Sequence, residues 1–156
     1  MNDVVATDDV ATDDVMMHED EARRRFGAAR VGAMATVTAQ GEPHVVPVVF
    51  ALVDDVAYTA VDGKPKTTLA LQRLANIAAS GRASLLVDEY REDWSGLWWV
   101  RFDGSAQVLR PDDSEVPIAF DALTRKYPQY VSQPPPGPVI ALRLTRWRSW
   151  KASPAQ

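Results

Sequence analysis

The chain has 156 residues, 46% of them apolar, with no cysteine, two histidines and a formal net charge of −4. That length and apolar share suit one domain around one core. The composition excludes a disulfide framework, a thiolate nucleophile and a cysteine-ligated metal. With only His18 and His44 it argues against a histidine triad or metal centre, and no 18-residue apolar run is present to span a membrane.

Charge is distributed unevenly. Residues 1–21 hold eight acids and no lysine or arginine, so the remainder carries 17 basic against 13 acidic groups. The leader MNDVVATDDVATDDVMMHEDE repeats VATDD without a sustained period. It predicts a disordered acidic tail over residues 1–20 and a single domain over 21–156. No basic-then-apolar signal opens the chain, so a cytoplasmic location is expected. The mildly basic body suits an acidic small molecule, and its charge is too weak and scattered to argue for nucleic acid.

In chain order, EARRRFGAAR predicts a short leading helix. VGAMATVTA, the turn QGEP and HVVPVVFAL then read as two strands, and VAYTAV after Asp54-Asp55 as a third. These runs are short, rich in β-branched residues and punctuated by Gly, Pro and Asp, which is the hairpin signal. From Thr68 the period changes: Leu71, Leu74, Ala75 and Ala78 share one helical face, and Gly81 is placed to end the helix. RASLLVDEY and LWWVRFDGSAQVLR predict the fourth and fifth strands. A helix from the N-cap Ser114 to Tyr127 buries Val116, Phe120, Leu123 and Tyr127, and VIALRLTRWRSWKA after QPPPGP gives the sixth strand. The order βββαββαβ, built from short antiparallel candidates, predicts a mainly β fold closed as a barrel rather than a doubly wound sheet.

The stretch YTAVDGKPKTTLALQRL carries the most chemistry. Asp62-Gly63 supplies a tight turn, and Lys64 and Lys66, linked by Pro65, stand just before a helix whose N-cap is Thr67 or Thr68. A helix N-terminus offers unpaired N–H groups and about half a positive charge, which suits a phosphate. Each charge-assisted contact to it is worth ~1.5–3 kcal/mol. The plain alternative, two solvated lysines in an exposed turn, stays open on these residues alone.

ARVGAMATVTAQGEPHVVPVVF, AYTAVDGKPK, NIAASGRASLLVDEY and WWVRFDGSAQV together resemble the pyridoxamine 5′-phosphate oxidase-like split β-barrel superfamily. The chain is most similar to the actinobacterial branch that uses the deazaflavin coenzyme F420, and the resemblance covers about half of it, from Arg30 to Gln107. It implies a six-stranded antiparallel split barrel of the FMN-binding type with two to three helices. It also implies a homodimer holding its cofactor along the subunit interface. Val46, Pro47, Val48 and Val49 would lie along the tricyclic ring, Tyr58 and Thr59 would lead into the phosphate loop, and Lys64 and Lys66, with Thr67 beside them, would hold the phosphate. Trp99 and Arg101, on the fifth strand, would complete the ring pocket of the neighbouring subunit. Pyridoxamine phosphate oxidases carry further arginines and histidines for their substrate, and no such set stands near this C-terminus. Pro65 breaks the basic run of a typical FMN loop, which leaves FMN as the alternative to F420.

The expected activity is hydride transfer from reduced F420 to a small unsaturated or planar acceptor, with Tyr58 or water as proton donor. The competing class is a module that binds flavin, deazaflavin or haem without turnover. Other features carry plainer readings. Alternation sends Trp98 and Trp99 to opposite sheet faces, so at most one lines a site. His44 reads as a satisfied or exposed histidine, Arg30 matches a position that the family often fills with arginine, and the acids of DEYRED lie in one polar stretch without the shell a hydrolase needs.

Overall fold

The computed structural model describes residues 16–61 and 68–153. Helix α1 (Glu19–Ala28) opens with Glu19, Asp20 and Glu21 in its first turn and closes with Arg25 in its last, both matched to the helix dipole. Its buried residues are Ala22 and Phe26, one turn apart. Met17, just ahead of it, is 6% exposed, and its backbone N–H donates to Ser149 Oγ. Residues 16–20, placed by sequence in the acidic leader, therefore belong to the fold. The leader's first 15 residues lie outside the described ones.

Strands β1 (Gly32–Val37) and β2 (Pro43–Val48) form a hairpin, with Gly41 at φ 85° in its turn. β3 (Ala51–Val53) and β4 (Val56–Ala60) form a tighter one around Asp54, whose φ of 49° lies in the left-handed region that Asp tolerates better than most residues. Helix α2 (Thr68–Ser80) ends at Gly81, also left-handed at φ 65°, whose N–H closes on Ile77 O at 2.8 Å. β5 (Arg82–Glu89), a 3₁₀ turn at Trp94–Gly96 capped by Asp93, and β6 (Trp98–Val108) follow. Helices α3 (Glu115–Lys126) and α4 (Gln129–Ser132) and strand β7 (Val139–Lys151) complete the chain.

The strands lie in the order β2-β1-β5-β6-β7-β4-β3, every neighbouring pair antiparallel. β2 and β3 are the two edges of this sheet, yet only Val49 and Phe50 separate them in sequence. From Val48 to Ala51 the chain spans at most about 11 Å, so the described strands must roll until their edges nearly meet. The result is an antiparallel barrel split between β2 and β3.

The split also corrects the sequence reading. HVVPVVFAL is not one strand but two, so the described residues hold seven strands rather than six, and with α4 they hold four helices. The physical reason lies at Phe50. Its backbone has no ladder partner at the break, and the buried Tyr127 hydroxyl serves instead, accepting from Phe50 N at 3.1 Å. The same oxygen lies 2.8 Å from Phe50 O and 3.0 Å from Arg30 O, the carbonyls to which it can donate. One hydroxyl thus satisfies backbone groups that would otherwise be buried unpaired.

Inside the barrel, Phe26, Phe50, Phe102 and Trp147 stack and tilt at 4.8–5.2 Å between centroids, amid Met34, Leu85, Val87, Val100, Ile140 and Leu142. A second cluster, Ala51, Tyr58, Ala60, Leu109, Val139 and Ala141, lies outside the barrel wall beneath Ala119, Leu123 and Tyr127 of the α3 region. The α3 stripe falls on the expected face, with Leu123 and Tyr127 buried, Val116 and Phe120 half-buried against the cluster, and Ala119 buried beside them. The α2 stripe matches only in part: Leu74 packs on the core, but Ala75 and Ala78 are exposed while Arg73, Asn76 and Ile77 are buried, and the Leu71 side chain lies outside the described ones. Asn76 rotates that face, because its amide donates to Thr36 Oγ1 at 3.0 Å and accepts from Gln72 Nε2 at 2.7 Å.

Candidate functional site

β2 is an edge strand of alternating fate. Val46 and Val48 point into the barrel and pack on its core, whereas Val45 and Pro47 point outward. Its outward residues continue across the sheet in register. Pro47 stands beside Ala33, Ala33 beside Leu86 and Leu86 beside Arg101; one row along run Val45, Ala35, Ser84 and Asp103. Val45 is 63% exposed and Leu86 37%, so this outer face is an open, largely apolar surface. At its far side Trp99 and Arg101 project outward with it, while Trp98 turns back onto the barrel core, the split that alternation predicts.

The residues expected at a cofactor site are therefore only partly gathered. Pro47, Trp99 and Arg101 share the outer face, but Pro47 and Arg101 are three strand spacings apart, about 14 Å. Val46 and Val48 can offer a flat ring their backbone edge rather than their side chains. Val49 packs on the second cluster. Lys64, Lys66 and Thr67 lie outside the described residues.

Tyr58 and Thr59 are buried, at 4% and 2% exposure. Tyr58 turns away from β2 toward α3, where its hydroxyl donates to Glu115 Oε2 at 2.7 Å. Burial, reinforced by that carboxylate, raises its pKa to about 12. Its hydroxyl is held in that bond, beneath α3. Arg143 reaches the same carboxylate, Nη1 at 3.1 Å from Oε2, and holds Glu115 below the usual carboxylate range together with Tyr58.

Arg101 is anchored too. Its Nε and Nη2 donate to Asp103 Oδ1 and Oδ2 at 2.8 and 3.0 Å, and Ser84 Oγ donates to Asp103 at 2.7 Å. Burial works to raise Asp103, but the bonds from Arg101 and Ser84 outweigh it and leave the carboxyl low. The guanidinium is thereby fixed on the face.

Two features escaped sequence reasoning. His44 points inward with Nδ1 3.5 Å from Thr36 Oγ1, and its buried Nε2 has no partner among the described residues. Lys126 Nζ is also buried without a hydrogen-bond partner among them, 4.1 Å from the Phe50 ring centroid. A signal for the second existed: Lys126 stands seven residues after Ala119 and three after Leu123, on the stripe the helix buries.

No group of three or more His, Asp or Glu suited to a metal occurs among the described residues, and no helix there is long and apolar enough to cross a membrane.

Among solved structures, the fold is similar to a FAD-binding protein from Mesorhizobium loti at 22% identity, covering 90% of this chain and 98% of that one with a TM-score of 0.69. A heme binding protein from Mycobacterium smegmatis matches at 24% identity over 87% of this chain and 54% of its own, with a TM-score of 0.67. A heme storage protein from Vibrio cholerae matches at 16% identity over 88% and 98%, with a TM-score of 0.68. No curated protein matches the sequence. The pyridoxamine 5′-phosphate oxidase family model matches residues 18–151, nearly the whole described barrel. By that match, the chain belongs to the pyridoxamine 5′-phosphate oxidase family.

Proposed function

We propose that this chain is a homodimeric reductase that binds coenzyme F420 and directs hydride from the reduced deazaflavin to a small unsaturated or planar acceptor. The observation that carries the reading is the open outer face, on which the apolar Val45, Ala33, Ala35 and Leu86 merge with the tryptophan and anchored arginine of β6. A second copy laid on this face would bury the valines and leucine. It would also bring its own Trp99 and Arg101 to the β2 edge, which one protomer's geometry keeps about 14 Å apart.

The residues fit such a cofactor. An uncharged edge strand offers backbone donors and acceptors to the amide edge of a ring, and Val45 and Pro47 give it an apolar bed. Lys64 and Lys66, with Thr67, would take the phosphate. Bound, the deazaflavin supplies the hydride. The protein's own part is to orient the ring, exclude water at the dimer seam and hold the acceptor. With Tyr58 committed to Glu115, a water at the seam is the proton source in this reading.

A second reading is a carrier of flavin or haem without turnover, favoured by the names of the Mesorhizobium, Mycobacterium and Vibrio neighbours. Titration of the purified protein with F420, FMN and haem side by side separates them. Quenching of F420 fluorescence at micromolar concentration, followed by oxidation of the reduced coenzyme in the presence of enones or quinones, supports the reductase. Tight FMN or haem with no response to F420 overturns it in favour of the carrier.

A further inference from the structure

We propose that Arg30 and Lys126 form a recognition site for one small oxyanion, the carboxylate or phosphoryl group of a small acid, at the split between β2 and β3. Both cations gather at the same aromatic corner. Arg30 Cζ lies 4.7 Å from the Tyr127 ring centroid; Lys126 Nζ lies 5.5 Å from that ring and 4.1 Å from Phe50, the residue that links the two strands. The Tyr127 hydroxyl, within bonding distance of Arg30 O and Phe50 O, ties the backbone of the corner together.

What marks the corner is Lys126, whose buried Nζ has no counter-charge among the described residues; Arg30 beside it is exposed and, like the exposed Arg24, Arg82 and Arg148, has no carboxylate within 4.0 Å there. Arg23, Arg25, Arg91, Arg101, Arg110, Arg125, Arg143 and Arg146 each have a carboxylate within 4.0 Å. Arg30 and Lys126 have none among the described residues, where Lys126 Nζ also finds no hydrogen-bond acceptor. The dipole of α3 accounts for a cation in its last turn. It does not account for where this one points, because Arg125, the preceding residue, stays in solvent and pairs with Asp121. Two like charges set against one ring oppose each other, and Arg30 together with burial disfavours the protonated Lys126. A buried ammonium without an acceptor is costly, and an aromatic face offsets only part of that. An oxyanion between the two removes both penalties, taking a point-charge contact from the lysine and a planar, bidentate one from the arginine.

The test uses the full chain and no cofactor, so it stands apart from the hydride-transfer reading. Thermal unfolding is followed while benzoate, acetate or inorganic phosphate replaces chloride at matched ionic strength and pH 7. The expected result is a saturable rise in Tm for the wild type. Affinity falls about tenfold or more in Arg30→Gln and in Lys126→Met, the scale of one charge-assisted contact. Response to benzoate and acetate alone assigns a carboxylate, and response to phosphate assigns a phosphoryl group. Lys126→Met removes an unsatisfied buried charge and should fold at least as well as the wild type, so a lost response in it reports binding. No saturable rise with any of the three anions, or an equal rise in wild type and both variants, overturns the proposal.

Discussion

On the outer face of β7, β4 and β3, Tyr58, Ala60, Val139 and Ala141 lie beneath α3, and all four are nearly inaccessible. On the same face of β2, β1 and β5, Val45, Val37 and Leu86 are 63%, 45% and 37% exposed. Each half is antiparallel and ends in one edge strand, and α3 covers only the first. The covered half has its polar groups paired internally, Tyr58 and Arg143 both on Glu115. The open half keeps Arg101 anchored on Asp103 but facing solvent. Burial of one half stabilises the monomer, and exposure of the other leaves a surface suited to a partner.

The largest test of that contrast is Leu123→Ala, which empties the centre of the covered half. Leu123 is 0% exposed, and the change should cost about 2–5 kcal/mol in urea unfolding. Leu86→Ala, at the centre of the open half, should cost an isolated monomer under about 1 kcal/mol. In sedimentation experiments Leu86→Glu should instead shift the proposed dimer to monomer with the circular dichroism spectrum unchanged. An unaltered sedimentation profile would remove the open face from the proposed dimer interface.

Next in size is Tyr127→Phe. Its hydroxyl stands in for the missing ladder at Phe50, so the variant leaves a buried N–H unsatisfied and should lose about 1–3 kcal/mol. A loss below 0.5 kcal/mol, roughly the limit for a neutral surface change, would mean that the split is held by packing alone.

Lys126 gives an effect of opposite sign. Burial first, then Arg30, lowers its pKa from 10.5 to about 8. Below pH 8 the folded state carries the strained ammonium. Between about 8 and 10.5 the unfolded chain binds the proton and the folded chain does not, so stability rises with pH across that window. Lys126→Met should be more stable than wild type by about 1–3 kcal/mol at pH 7, with the gap closing by pH 10. A gap that does not change with pH would refute the burial of the charge.

Local pattern and chain order carried most of the fold: the hairpins, both long helices, the α3 stripe and the opposed faces of Trp98 and Trp99 follow from period, turn residues and caps. Failures occurred where long-range contacts override local pattern. HVVPVVFAL has unbroken strand character, and its division at Val49-Phe50 depends on Tyr127, 77 residues away. Part of the α2 face was misjudged because a buried Asn76 bonds Thr36 across 40 residues. For the site, the residue types of the β2 ribbon and of Trp99 and Arg101 were readable, but only strand register reveals that one protomer holds them on one face and far apart. Tyr58 looked free because its partner Glu115 is 57 positions on.

The smallest effect belongs to that last bond. The hydrogen bond from Arg143, then that from Tyr58, lowers the Glu115 pKa, so the folded state holds this carboxylate ionised more firmly than the unfolded chain does. Its contribution is fully present above the unfolded value near 4.5 and is lost as pH falls through the lower folded value. Glu115 and Arg143 are both partly exposed, and a pair in that setting contributes up to about 1 kcal/mol. Glu115→Gln keeps an acceptor for Tyr58 but loses the charge. It should flatten only the acid limb of the stability curve, with little change at pH 7 beyond that small term. Asp103→Asn, on the open half, should flatten the same limb and in addition free Arg101, so only that variant should change assembly. If Glu115→Gln altered sedimentation as well, the covered half would be part of the interface and the division between the two faces would fail.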